Sequence, residues 1–523
     1  MTTLDDTTRY ETSRYVRTLR THQDRDFTRP GGLLDAGDVP STVAFHSLFG
    51  NARLIEGDVP AVLREARRAA LSLEDLRQRL DDDSLTDLFD ASYLVPEGFD
   101  EEQQIDELLR DRASNLSSGA YVSMLQLVLT NACDFSCEGC FAYNFDSAVT
   151  NRRSAGEPVK PGPTLLQLRP RSEVAATLGH GDWNDGSALS ARNPRMHMTP
   201  AVAEKTVAEA VALRKARGAD DLSIAFFGGE PTLNKKTILH VLRTFGNEYD
   251  GVRLAYRMTT NGATVDDEVI EEFARCGVGV SISVDYVDHS SGEFRAGGPQ
   301  RVVWSDIRAN IARYVAGGVH LKLGSVLSSQ TWSKWGTTLI DEAAALGIDE
   351  IDVIVAFQAR EFFAQHAPSD VVAKLMEAYD YGQRVGVQLT GYWYHTFLML
   401  IDAERWAAQA DYKTCPAVGR KLSIEPNGSV FACKATARQL GTIDSWQDIF
   451  SSSAYQHYGM RAYKNGPACS GCELQGTCSG GSSGALENET GSIREMSPGY
   501  CAYMREVVHE LLQRHALAAA ATA

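Results

Sequence analysis

The sequence predicts an α/β protein: a partial, TIM-like (β/α)6 barrel, preceded by a small winged-helix-like module and followed by an irregular, cysteine-rich domain. Three observations lead there. Six short apolar runs each precede a helical stretch in the middle of the chain. Nine of the ten cysteines fall in tight groups, most of them near the C-terminus. And 523 residues are too many for one core, so about three domains are expected: 1–120, 121–390 and 391–523.

Composition narrows the class. Hydrophobic residues make up 43% and charged residues 23%, as in folded soluble proteins. With 51 Lys and Arg against 68 Asp and Glu the formal charge is −17, a poor surface for nucleic acid. No run approaches the ~20 apolar residues of a membrane span. The polar start carries no signal-peptide core, so a cytoplasmic location is expected. In that reducing setting, grouped cysteines read as metal ligands rather than disulfides.

The elements follow in order. The first forty residues are polar and expected to be loosely ordered. Runs at 42–48 and 52–55 around Phe49, Gly50 and Asn51 predict a hairpin. Residues 60–70 and 73–80 read as helices, 93–95 as a return strand and 101–110 as an acidic helix. Barrel strands are expected at 122–130, 222–227, 253–259, 277–284, 320–327 and 350–356. Their helices are expected at 199–216, 235–245, 266–276, 304–315, 334–346 and 369–385. A stretch rich in Gly, Pro, Ser and Arg, 144–193, interrupts the first unit as a lid or a surface loop. From 412 the chain becomes glycine- and cysteine-rich, the mark of a small domain held by metal. Residues 502–516 read as a last helix, with a frayed tail at 518–523.

The chemistry starts just after the first strand. Cys133, Cys137 and Cys140 stand at spacing C-x3-C-x2-C on one loop. Three thiolates for a cubane of four irons leave one iron open to a small molecule. Zinc fits this spacing poorly without a nearby fourth ligand. The second strand ends in Gly228, Gly229, Glu230 and Pro231: two glycines admit a close backbone approach, and a carboxylate accepts from an ammonium group. The third strand ends at Asn261 and the fourth at Ser283 and Asp285. Lone Cys276, on a predicted helix, reads as a buried apolar thiol.

The cysteine loop resembles that of the radical S-adenosylmethionine (SAM) enzymes. The resemblance implies that the open iron chelates S-adenosylmethionine and that a 5′-deoxyadenosyl radical is released. It places Gly228, Gly229 and Glu230 at the methionine amino group, with Glu230 stabilising the turn more than meeting the ligand. Asn261 belongs to the same strand-end set. Ser283 and Asp285 fall near ribose and carboxylate, with Arg295 as a bidentate carboxylate partner. Where members carry an aromatic residue before the third cysteine, this chain has Gly139, and Phe141 takes over stacking near the adenine. Tyr286 stands where members often have Gly.

Cys415, Gly428 and Cys433, then Cys469, Cys472 and Cys478, then Cys501, are similar to the SPASM domain, which adds auxiliary 4Fe–4S clusters. The match has a gap, because Ser482 occupies one expected cysteine position. By resemblance the outer cluster keeps Cys469, Cys472, Cys478 and Cys501. The inner one keeps Cys415 and Cys433 alone, so it is expected to be absent or openly ligated. A zinc ribbon is the alternative for the outer four.

Relatives of this build mostly modify peptides. A sulfatase-maturase-like oxidation is demoted because Lys434 stands where that branch has a basic Asp. The reading is a peptide maturase giving a crosslink, thioether or epimerised residue in a ribosomally made peptide. The N-terminal module would dock the leader as an added strand, and ferredoxin or flavodoxin would supply electrons. A dehydrogenase or mutase acting on a small natural-product precursor is the rival. A pure electron carrier is disfavoured by the uncapped iron. No nucleic-acid or membrane partner is expected.

Overall fold

In the computed structural model the described residues are 7–19, 43–135, 137, 140, 196–296, 302–355, 359–402, 415–461, 469–478 and 480–522. The insertion 144–193 and Phe141 lie outside them.

The N-terminal residues are more ordered than their polarity suggests. β1 (Arg9–Thr12) and β2 (Val16–Leu19) are strands, which corrects the loose start for 9–19. Tyr10, Val16 and Leu19 are buried, but they are too sparse for a period-2 pattern to show. β3 (Val43–His46) and β4 (Gly50–Leu54) form the expected hairpin, turned through Gly50 and Asn51 at φ +80° and +56°. β2 pairs with the other edge of β3. β5 (Leu71–Ser72) and β6 (Leu94–Pro96) flank β1. The expected helices form at Val59–Arg68 and Leu73–Arg77. A third at Asp82–Asp90 was hidden in an acidic run. Asp81 caps it by accepting from Ser84 N at 2.7 Å, and Leu85 and Leu88 bury its inner face. The acidic helix, Glu101–Ser117, runs two turns further than expected. Its buried Arg112 donates to Gly459 O at 2.7 Å, which fastens the module to the C-terminal region.

The barrel strands are β7 (Met124–Thr130), β8 (Asp221–Gly228), β10 (Val252–Thr260), β11 (Gly279–Ser283), β12 (Leu321–Leu327) and β13 (Glu350–Val355). A short β9 (Glu248–Tyr249) turns back on β10, and β14 (Gln388–Thr390) adds an unexpected seventh parallel strand. The order is β14-β13-β12-β11-β10-β8-β7, all parallel. Helices Pro200–Ala216, Lys235–Phe245, Asp267–Cys276, Trp304–Ala316, Thr337–Ala345 and Pro368–Val385 make the crossovers. Their ends follow local chemistry. Thr199 and Asp266 cap the starts of the first and third, and left-handed Gly277 and Gly386 end the third and the last. Cys276 is 2% exposed, the apolar thiol expected.

β8 and β10 to β13 each have two unlike faces, whereas β7 is buried on both. Leu254, Tyr256 and Met258 of β10 pack under the helices, while Arg253, Ala255, Arg257 and Thr259 on its other face are exposed. A closed barrel fills that side with a core; this one leaves it open.

The C-terminal region is less irregular than expected. β15 (Lys421–Ile424) pairs parallel with β7, and β16 (Ser429–Phe431) and β17 (Gln439–Thr442) continue antiparallel, so one sheet spans both regions. Glycine- and cysteine-rich surroundings masked this short strand. Helix Tyr392–Ile401 follows β14 and meets the N-terminal module: a Cβ on Gly50 would lie 2.5 Å from Met399 O. The last helix, Pro498–Thr522, is longer than 502–516 and includes the expected tail. Arg514 ties it to Asp380 at 3.0 Å. Among the described residues no helix is long and apolar enough to cross a membrane.

Candidate active site

The C-terminal ends of β7, β8, β10 and β11 converge beside the cysteine loop. The loop is held from below by the glycine turn. Gly229 N donates to Thr130 O and Glu230 N to Ala132 O, both at 2.8 Å. A Cβ on Gly228 would lie 2.4 Å from Thr130 O, and one on Gly229 would lie 2.2 Å from Ala132 O. The backbone that these glycines admit is therefore that of the cysteine loop itself, where the sequence had suggested a ligand.

Glu230 is a structural carboxylate. It is 1% exposed and accepts from Thr232 N (3.1 Å), Thr232 Oγ1 (2.8 Å), Thr260 Oγ1 (2.7 Å) and Asn261 N (2.7 Å). Burial pushes its pKa up, and these four donors pull it back. With both oxygens engaged it orients the turn, as expected. Asn261 passes the order on: its Nδ2 donates to Asp134 Oδ1 at 2.7 Å, one residue past Cys133. Thr232, Thr260 and Asp134 were not anticipated, since hydroxyls and a lone Asp at loop positions carry no sequence pattern.

Cys137 and Cys140 share their surroundings with Asp285 and Arg295. Burial pushes the Cys137 thiol up to about 11, and Arg295 opposes the shift. Asp285 is fixed by Val326 N at 3.1 Å, and burial raises its pKa against Arg295. Arg295 Nε lies 3.5 Å from Asp285 Oδ2 as an ion pair without a hydrogen bond, and that buried Nε has no other partner. After burial and Asp285, the strongest influences on Arg295 are Cys137, Cys140 and Cys133. An orphaned donor facing three thiols suits an anionic cluster or a carboxylate ligand. Ser283 ends β11 beside Gly324 of β12, half-buried on the same strand-end row.

The auxiliary cysteines form two unequal groups. Cys469 and Cys472 are buried, and Cys478 and Cys501 half-buried. Burial, then Cys478 and Cys469, pushes the Cys501 thiol up to about 12, with Arg505 and Arg461 opposing. Burial and Glu473 raise Cys472, which also senses Cys478. Charge on Cys478 thus reaches both Cys472 and Cys501, with Arg505 acting on the same two thiols. Buried Arg461 has an orphaned Nε, a donor that suits an anionic cluster. No three His, Cys, Asp or Glu side chains among the described residues gather closely enough for a single metal ion.

Cys415 and Cys433 differ. Lys421 donates to Cys433 Sγ at 3.1 Å, and Ser483 Oγ lies 3.8 Å from Cys415 Sγ while accepting from Arg461 at 2.8 Å. Ser482, at the position of the missing cysteine, caps helix Ser483–Thr490. Tyr392 and Arg461 are further polar neighbours. Among the described residues, two thiols, a lysine and an engaged serine do not make the ligand set of a four-iron cluster.

A buried junction joins the two regions. Lys434 donates to Asn131 Oδ1 and pairs with Glu425 at 3.3 Å, and its backbone N donates to Gln126 Oε1 at 3.1 Å. The sequence singled out Lys434 only as a lost base; its partners lie on β7, on the cysteine loop and past β15, separations no local pattern reveals.

A parallel α/β sheet with three cysteines at its strand ends, a glycine turn beneath them and a second cysteine group behind defines an iron–sulfur, S-adenosylmethionine-dependent enzyme. Residues 127–327 match the radical SAM superfamily, and residues 415–473 match the SPASM iron–sulfur cluster-binding domain. The chain thus carries a radical SAM domain followed by a SPASM domain, the parts of an enzyme that uses 4Fe–4S clusters and S-adenosylmethionine. It is 26% identical over 480 residues to the radical SAM cyclopropyl synthase TigE of Paramaledivibacter caminithermalis, covering 90% of this chain and 92% of that one. The fold is shared with anSMEcpe with bound AdoMet, with TM-score 0.53, 15% identity, 76% of this chain and 99% of that one covered. A further structure of anSMEcpe with AdoMet and the Cp18Cys peptide has the same scores.

The glycine turn carries a direct prediction. Gly229→Ala is expected to displace the cysteine loop and lower 5′-deoxyadenosine formation by about 10²-fold, the usual cost of a misplacement near 1 Å. Initial rates at saturating S-adenosylmethionine, with iron content measured alongside, check it.

Proposed function

We propose that the chain removes a hydrogen atom from an unactivated carbon of a ribosomally made peptide and closes a carbon–carbon bond there, forming a strained ring in one residue. In this reading Cys133, Cys137 and Cys140 hold the reactive 4Fe–4S cluster. Asp285 and Arg295, with Ser283, Asn261 and Phe141, seat S-adenosylmethionine, while Gly228, Gly229 and Glu230 shape the loop. Cys469, Cys472, Cys478 and Cys501 hold an auxiliary cluster. When bound, these groups supply a 5′-deoxyadenosyl radical and an acceptor for one electron.

The observation that carries the peptide reading is the open inner face of β10, exposed from Arg253 to Thr259. Across the same lumen, Lys322 pairs with Glu350 at 3.1 Å and Asp352 at 3.5 Å, giving half-exposed polar groups suited to a long, polar substrate. Among the described residues β4 is an edge strand of the N-terminal module, and a leader would add to the sheet there. The ring-closing step rests on the named activity of the relative. The net change is the loss of two hydrogens: one would leave as an atom to the carbon radical that the cofactor supplies, the other as a proton, and a cluster held by Cys469, Cys472, Cys478 and Cys501 would accept the remaining electron. The product is lighter by two hydrogens.

The reading is tested by incubating reduced enzyme and S-adenosylmethionine with short peptides encoded beside it. A product lighter by two hydrogens, formed in step with 5′-deoxyadenosine, is expected in high-resolution mass spectra. Coupled turnover of a small precursor, with every such peptide unchanged, would replace the peptide with the small-molecule reading.

A further inference from the structure

The loop carrying the outer cysteines leans on the N-terminal module. Gly476 N donates to Ser47 O at 2.8 Å, and a Cβ on Gly476 would sit 1.9 Å from Leu48 O, so the β3–β4 turn is the wall of that loop. Arg17, on neighbouring β2, reaches across the same contact. It is 3% exposed and donates through Nη2 to Gly471 O at 3.4 Å, between Cys469 and Cys472. Its Nη1 donates to Arg14 O and Val16 O, and its Nε has no partner.

Cations gather around these cysteines. Arg17 acts on Cys472 and Glu473, with Arg67 beside it as a like charge. Arg505 also approaches Glu473, at 3.9 Å, and Arg461 acts on Cys478 and Cys469. Arg17, Arg461 and Arg505 are all buried, and burying cations costs free energy unless anions lie beside them. A cubane ligated by four thiolates is such an anion, and it gains a further negative charge on reduction. Nearby charge and burial set the potential of such a centre.

We propose that Arg17, delivered by the N-terminal module, sets the potential of the outer auxiliary cluster: its buried cation beside Cys472 favours the reduced form and so makes this cluster the electron acceptor. A peptide docked on the β2–β3–β4 sheet is then connected to the acceptor through the same contact. The inference rests on Cys469, Cys472, Cys478 and Cys501 being the cluster ligands.

The test is a redox titration of the anaerobically reconstituted full chain, followed by electron paramagnetic resonance. Arg17→Gln is expected to keep its iron but lower the reduced-to-oxidised ratio of the outer cluster about tenfold at fixed potential, a shift of about 59 mV for one electron. Arg17→Lys should retain the wild-type midpoint, and the cluster at Cys133 should not shift in either variant. An unchanged outer midpoint in Arg17→Gln at full iron overturns the proposal. Should Arg17→Gln lose the outer iron, Glu473→Gln decides: removing the acid that offsets Arg17 should raise the midpoint, and no rise overturns the proposal. Cys472→Ala separates the two layers. If it keeps the outer signal and iron, the ligand assignment fails, whatever Arg17 does.

Discussion

Replacing Cys133, Cys137 or Cys140 by alanine, one at a time, is expected to bring 5′-deoxyadenosine formation to background and remove about four irons per chain. The loop offers a cubane three thiols and no spare. Losing one leaves two irons without protein ligands, and the cluster is no longer held where Arg295 and Asp285 face it. Groups that act as a unit are not additive, so each single replacement should cost as much as all three together. Cys276→Ala is the control: that thiol is buried behind helix Asp267–Cys276, 3.9 Å from Leu242 O, and its loss should leave both iron and cleavage in place. Chromatography of 5′-deoxyadenosine with a parallel iron assay decides the matter. Cleavage retained in any of the three loop variants would falsify the ligand assignment.

The second large effect is expected at Lys434. It is 3% exposed, and Glu425, its partner at 3.3 Å, is fully buried. Removing one member of a buried pair leaves an uncompensated charge, so Lys434→Met is expected to destabilise the fold by roughly 3–5 kcal/mol. The double variant Lys434→Met, Glu425→Leu should recover most of that loss, because two apolar groups need no compensation. Denaturant midpoints of the three chains measure it. If the single and double variants fall equally, the pair is not what holds the junction. Asn131, which bonds both members, lies two residues before Cys133, so the single variant should also slow cofactor cleavage.

Much of this was legible because it is written locally. The six alternating strand–helix units carry strong apolar periods, and their observed bounds fall within a few residues of the expected ones. The three-cysteine spacing and Gly228–Gly229–Glu230 are contiguous in the chain. What escaped depends on distance. β1 and β2 bury Thr12 and Arg17 beside Tyr10, Val16 and Leu19, so too few of their buried side chains are apolar to show a period. β15 is four residues whose partner strand, β7, lies about 300 residues earlier in the chain. The cations around the outer cysteines, Arg17, Arg461 and Arg505, come from three separate segments and look like ordinary surface charges until folding buries them. The four donors that fix Glu230 come from two strand ends, Thr232 after β8 and Thr260 and Asn261 after β10, a convergence that no local pattern carries.

The pairing of β15 with β7 has a consequence for how the chain is made. Leu127 of β7 waits for Ile424, about 300 residues later. At roughly 5–20 residues per second, the nascent chain carries an unpaired, apolar strand edge for about 15–60 seconds before its neighbour leaves the ribosome. Such edges recruit other chains. Slow growth, low temperature and abundant chaperones should therefore govern the yield of native material more than any single contact in the finished molecule does.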